Sequence, residues 1–249
     1  MDRLVIIFAT IGIFFSALAI VLRLSDVKAR RNPADILFNV GLFAIMWYVF
    51  VYMMIITGYI QQLPNCYNKG IPLYYLIAPC FYFYVQLKLY PAKKMPRYWY
   101  LHALPFAFGL VDIMPYALAT DAEKNALMQQ LVENISIGFQ HDYGFIDQQW
   151  HYLIRLSLAF VYLLAQWRLL FMVDTTEGDI SSKLLFFLNL LTVIYSLFIV
   201  IQVSMVLSIL FNRLQAAYIL KDSSQLIWLS TLYLIFSIWI CFGARTHRT

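Results

Sequence analysis

Apolar runs of about twenty residues alternate with short polar gaps along nearly the whole chain. Seven of them, at 4–22, 36–59, 71–89, 100–118, 150–170, 184–207 and 225–242, are long enough to cross roughly 30 Å of hydrocarbon, which takes about 20 helical residues. Each run is apolar on all sides, as a helix solvated by lipid must be. Barrel strands would instead read as about ten residues of alternating polarity. The pattern predicts an all-α fold: a polytopic membrane protein, a seven-transmembrane-helix bundle forming one membrane domain over residues 1–249. The first run follows Asp2 and Arg3, which cancel in charge, and four cations follow it. This argues for an uncleaved span rather than a signal peptide.

The longest gap, 119–149, breaks the rule. Thr120 and Glu123 stand at capping-box spacing, and Leu127, Met128, Leu131, Val132 and Ile135 then fall on one helical face. An amphipathic helix is expected here, lying on the membrane surface or over the mouth of the bundle.

Composition agrees with lipid as the main solvent. Of the 249 residues 62% are hydrophobic and only 12% charged, against about 45–50% and about 25% in soluble domains. The net charge of +5 matters through its placement. With the N-terminus outside, Arg23, Lys28, Arg30, Arg31, Lys88, Lys93, Lys94, Arg97, Arg168, Lys183, Arg245 and Arg248 fall inside. Arg3, Lys69, Lys124, Arg213 and Lys221 fall outside. Twelve against five follows the positive-inside rule, so the expected orientation is N-terminus out and C-terminus in, in the bacterial cytoplasmic (inner) membrane. Cys66, Cys80 and Cys241 are scattered and form no CxxC or even-numbered framework.

Two ionisable residues sit well inside runs: Asp112 in the fourth and Arg155 in the fifth. Counted from the outer ends, both lie ~8–9 Å deep, so a pair between them is expected. It reads either as a structural tie that fixes helix register or as the floor of a pocket open to the outer face. His151, on the same helical face as Arg155, Gln202 in the sixth run and Tyr75 at the start of the third fall at similar depth. Asp112, Arg155, His151, Gln202 and Tyr75 are therefore the candidate ligand pocket. His141, Asp147 and His151 have no established metal spacing, and no metal is expected. Pro79 and Pro105 fall in the third and fourth runs and are candidate hinges; the alternative is plain helix curvature. No HExxH, GxSxG, Gly-rich phosphate loop or CxxC is present, and the seventh run has no lysine for a retinal Schiff base. No enzyme activity and no cofactor are expected.

The stretch "APCFYFYV" (78–85), the basic loop after it and "LHALPF" (101–106) resemble the multi-span N-terminal membrane region of bacterial hybrid regulators. In these, a membrane domain precedes an AraC/XylS-type helix-turn-helix domain; related membrane domains precede histidine kinases. The pattern there is Gly-Pro-x-x-Tyr-x-Tyr-Val, a short basic loop, then x-His-x-x-Pro-Phe. Pro79, Tyr82, Tyr84, Val85, His102, Pro105 and Phe106 match it, while Ala78 stands where glycine is usual. The motif covers residues 78–106, and by hydropathy the likeness extends over runs two to seven.

The resemblance implies a sensory domain that detects an external ligand or envelope condition and relays it to a cytoplasmic output, a transcriptional regulator or kinase. No helix-turn-helix lies within these residues, so no direct nucleic-acid binding is expected of this chain as given. The expected partners are the lipid bilayer, a small-molecule ligand on the outer side and a cytoplasmic output domain or partner. Oligomeric state is left open, a homodimer being one option. Alternatives from other classes are a small-solute transporter or channel, or a structural partner in a larger membrane complex.

Overall fold

The computed structural model describes residues 2–91, 95–140, 144–173, 180–212, 215–221 and 223–246. Among them there is no strand. Seven helical segments are long and apolar enough to cross a membrane, at 3–24, 33–56, 64–89, 99–118, 148–171, 182–211 and 216–243. The chain thus has the make-up of a multi-pass membrane protein. His141, Asp142, Lys93 and Lys94 lie outside the described residues.

The chain opens with α1 (Asp2–Leu24), the short α2 (Val27–Arg31) and α3 (Pro33–Ile56). Asp26 caps α2 through Lys28 N–H, and Asn32 caps α3 through Ala34 N–H, with Pro33 in the first turn, where its missing N–H costs nothing. Two 3₁₀ turns lead to α4 (Ile71–Leu89). Then follow α5 (Leu104–Asp112), α6 (Met114–Leu118), α7 (Asp121–Glu133), α8 (Ile137–Gln140), α9 (Gln148–Phe171), α10 (Ser182–Phe211), α11 (Ala216–Lys221) and α12 (Ser224–Thr246).

Neighbour packing runs α1–α3–α4–α9–α10–α12 and back to α1, with α5 against the outside of α4. Twelve of the 19 residues of α4 are buried, so α4 is the central strut rather than a lipid-facing helix. The α1–α12 seam is sewn by small and hydroxyl residues. Ser16 and Ser237 hydroxyls lie 2.9 Å apart, and Tyr233 donates to Ser16 at 3.0 Å. Gly12 permits this approach, since a Cβ there would stand 2.6 Å from the Tyr233 ring. Gln166 of α9 donates to Thr192 of α10 at 2.7 Å, with both side chains buried. Outward faces carry large apolar residues such as Phe14, Phe160, Val200 and Trp228, as contact with lipid tails requires.

The fourth run is not the single helix that the sequence predicts. A 3₁₀ turn (Trp99–Ala103) leads into α5, and α5 stops at Asp112. Pro115 has no N–H to give the carbonyl of Val111, so the helix breaks and restarts as α6. Pro105 sits in the first turn of α5. There a proline is pre-organised for the helix and does not kink it; Pro105 marks the junction of the 3₁₀ turn and α5. Pro79 does lie inside α4 and leaves the carbonyl of Tyr75 without its helical donor.

The gap at 119–149 folds over one end of the bundle. Thr120 and Glu123 form the reciprocal capping box of α7. The two bonds from Thr120 to the Glu123 carboxylate, through backbone and side chain, hold its pKa below the usual value. Leu127, Met128 and Leu131 pack on Ile60, Tyr67, Tyr116 and Val51. Lys124 is buried; its ammonium lies 5.9 Å from the Tyr116 ring centre and donates to Ala117 O at 3.1 Å. Of the two placements open from sequence, α7 takes the one over the bundle mouth.

At the opposite end, three helix termini are pinned by one carboxylate. Asp35, in the first turn of α3, accepts from Arg23 at the end of α1 (2.5 Å) and from Lys88 at the end of α4 (3.0 Å). Arg23 also lies over the Phe38 ring at 4.4 Å. Asp35→Ala is expected to cost about 3 kcal/mol, because the Arg23 guanidinium stays behind, nearly buried and unpaired. Lys88→Met should cost under about 1 kcal/mol, because Lys88 is the more exposed partner and its charge can reach the surface. Unfolding titrations of the purified variants check both values.

Candidate functional site

The end covered by α7 and α8 encloses a cavity of ≈ 220 Å³. Its walls come from the starts of α1, α4, α9 and α12 and from the ends of α3 and α10. Consecutive long helices run in alternate directions, so these six termini meet at one end. Leu131, Ile135, Gly138 and Phe139 roof it.

Four of the five sequence-derived pocket residues line this cavity: Tyr75, His151, Arg155 and Gln202. Asp112 stands one bond behind. Its Oδ2 lies 2.7 Å from His151 Nε2, and His151 Nδ1 lies 2.8 Å from the Tyr75 hydroxyl. Asp112, His151 and Tyr75 are all buried. Asp112 Oδ1 accepts two backbone N–H groups, from Phe145 at 2.8 Å and Ile146 at 3.1 Å. A carboxylate engaged in this way is an acceptor. His151 therefore donates Nε2–H to it, and its Nδ1 and the Tyr75 hydroxyl share the second bond.

The expected Asp112–Arg155 pair is therefore absent. The depth count assumed an unbroken fourth helix, whereas Asp112 is the last residue of α5, beside the loop that precedes α9. Across from it comes His151, one turn (about 5.4 Å) nearer the start of α9 than Arg155. Gly144 makes the loop's approach feasible. A Cβ there would lie 2.2 Å from Asp112 Oδ2, inside any tolerable contact.

Arg155 instead lies among aromatic rings. Its guanidinium carbon is 4.8 Å from the Tyr152 ring centre, 5.2 Å from Tyr48 and 5.3 Å from Tyr74. These rings come from α9, α3 and α4 and also line the cavity. Tyr48 and Tyr74 meet edge to face at 4.9 Å. Among the described residues, no carboxylate lies within ion-pair distance of Arg155. One turn before His151, the Gln148 side chain also lines the cavity; it is buried, and among the described residues its Nε2 has no hydrogen-bond partner.

Sequence reasoning passed over Gln148, Tyr152, Tyr48 and Gly144. The first two carried a usable signal: at seven and three positions before Arg155 they share its helical face. Tyr48 and Gly144 carried none. One is an aromatic in an apolar run and the other a loop glycine whose role depends on where Asp112 comes to rest.

Among the described residues, no three His, Cys, Asp or Glu side chains gather as a metal site would require, and Cys66 and Cys80 are free thiols. Asp112→Ala is expected to destabilise the fold by about 2–4 kcal/mol, since two backbone N–H groups and the buried His151 lose their acceptor. Asp112→Asn, which keeps an acceptor oxygen, should cost far less. Gly144→Ala should resemble Asp112→Ala through the loop it displaces, and thermal unfolding of the three variants ranks them. No protein-family model, curated protein or solved structure matches this chain.

Proposed function

We propose that this chain is a sensory domain of the bacterial cytoplasmic membrane, N-terminus out and C-terminus in, which takes a small ligand into the cavity and relays its presence to a cytoplasmic output. The observation that carries this reading is the layout of α4. One buried helix presents Tyr74 and Tyr75 to the cavity and Lys88 to the ion cluster on Asp35. Tyr75 and Lys88 are thirteen residues apart, about 20 Å along a helix. Pro79 lies between them and deprives the Tyr75 carbonyl of its helical bond, so the cavity wall is the part of α4 freest to shift.

In this reading the basic loop after α4 faces the cytoplasm, and the resemblance of residues 78–106 to membrane domains ahead of AraC-type regulators and kinases supports an output on that side. The transporter reading asks for access from both ends. The cavity-lining residues of α4 stop at Ala78 and those of α9 at Ala159, which leaves the Lys88 half of both helices packed and favours a sensor.

Tyr75→Phe removes the bond to His151 while keeping the ring. Hydrogen exchange should then rise not only beside position 75 but also in segments 24–36 and 85–91. The expected change is about fivefold, the factor carried by a net hydrogen bond of about 1 kcal/mol. Exchange that changes only within a turn of Tyr75 would remove the relay.

A further inference from the structure

Among the described residues, two donors at the cavity have no hydrogen-bond acceptor. Arg155 offers a guanidinium with five N–H groups, and among the described residues it has no carboxylate partner. Gln148 is 5% exposed, and its Nε2 is unpartnered. The two stand seven residues apart on α9, two turns on one face. Long side chains on a helix lean toward its N-terminus, and Arg155 does so, lying over the Tyr152 ring at 4.8 Å. This brings its charge toward Gln148.

The obvious internal counter-ion is already committed. Asp112 is held by Phe145 N–H, Ile146 N–H and His151. The three rings around Arg155 attract the cation through their faces but offer no charge to neutralise it. Arg155 is half-buried; a guanidinium drawn partly out of water without an anion carries a penalty, and an incoming anion would meet a donor set already in place. Beyond the donors the wall turns apolar, with Ile45, Val49, Ile199, Met205, Leu226 and Leu229. The volume of ≈ 220 Å³ falls below the roughly 300–1,000 Å³ of drug-sized pockets.

We infer that the cavity is a site for a small amphipathic anion. A carboxylate or phosphate head pairs with Arg155 and accepts from Gln148, and a short apolar tail lies among the aliphatic residues of α3, α10 and α12. The source is either a free medium-chain acid or the headgroup end of a membrane lipid; both bring the same chemistry. This inference rests on reading the cavity as a ligand site and adds the class of ligand to it.

The test uses the full chain in nanodiscs of neutral phosphatidylcholine, with octanoate, octanol and octylammonium as probes in calorimetric titrations. Octanoate should bind about tenfold or more tightly than octanol, the ratio expected for charge-assisted contacts at one head, and octylammonium should bind least. Equal binding of octanoate and octanol to the wild type overturns the inference without recourse to any variant. Arg155→Gln and Gln148→Leu should each narrow the octanoate-to-octanol ratio while leaving octanol binding in place. Arg155→Lys should recover part of it, because it keeps the charge and loses the planar fork. A ratio that survives both Arg155→Gln and Gln148→Leu overturns the assignment to these residues. Repeating the octanoate titration in discs containing phosphatidylglycerol separates the sources: competition assigns the site to lipid headgroups, and its absence assigns it to free acids. Hydrogen exchange with octanoate bound keeps the two readings apart. Binding with no change at segments 85–91 and 24–36 removes the relay and leaves the anion site standing. A relay seen with Tyr75→Phe but no preference for octanoate removes the anion alone.

Discussion

The cavity end of the molecule depends on how one carboxylate is satisfied. Asp112 takes three hydrogen bonds, two from the loop before α9 and one from His151. Those bonds draw the loop in against the end of α5, turn His151 Nε2 toward the carboxylate, and through that ring orient the Tyr75 hydroxyl on α4. They also decide what becomes of Arg155. Had Asp112 reached one turn further along α9, the two charges would have neutralised each other and the cavity would have been closed by an ion pair. Because the loop and His151 occupy the carboxylate, the guanidinium faces an open space ringed by tyrosines.

The opposite end uses a carboxylate in a contrasting way. Asp35 gathers two cations from two different helix ends, so both cations share a carboxylate, which Arg155 lacks. The bundle between these ends is held by apolar packing and by short polar ties such as Ser16–Ser237 and Gln166–Thr192. Interhelical bonds of this kind are each worth about 1 kcal/mol in a membrane. A ligand that changes the balance at the Arg155 end therefore acts on a frame whose other end is anchored through α4.

The fold was legible in the sequence because lipid imposes a coarse and strict pattern: every spanning helix must be long and apolar, and each one shows as a run. The capping box at Thr120 and Glu123 was legible for a similar reason, as a local rule that needs no tertiary context. The site was legible as a list of polar residues at one depth, and four of those five residues do line one cavity. The pairing within it was not legible. It turned on Pro115 ending α5 at Asp112, a shift of a single turn, and on Gly144, whose importance exists only once the loop touches that carboxylate. The place of Pro105 was not legible either. A proline in an apolar run reads as a kink until the helix start is known to fall beside it.

The account stands on Asp112 being coupled to His151 and not to Arg155. A double-mutant cycle measures this directly, from unfolding free energies of the single and double alanine variants at 112 and 151 and at 112 and 155. The expected coupling is about 1.5 kcal/mol or more for the first pair, as for a hydrogen bond to a charged group, and within about 0.5 kcal/mol of zero for the second. A strong coupling between Asp112 and Arg155, with none between Asp112 and His151, would contradict the account.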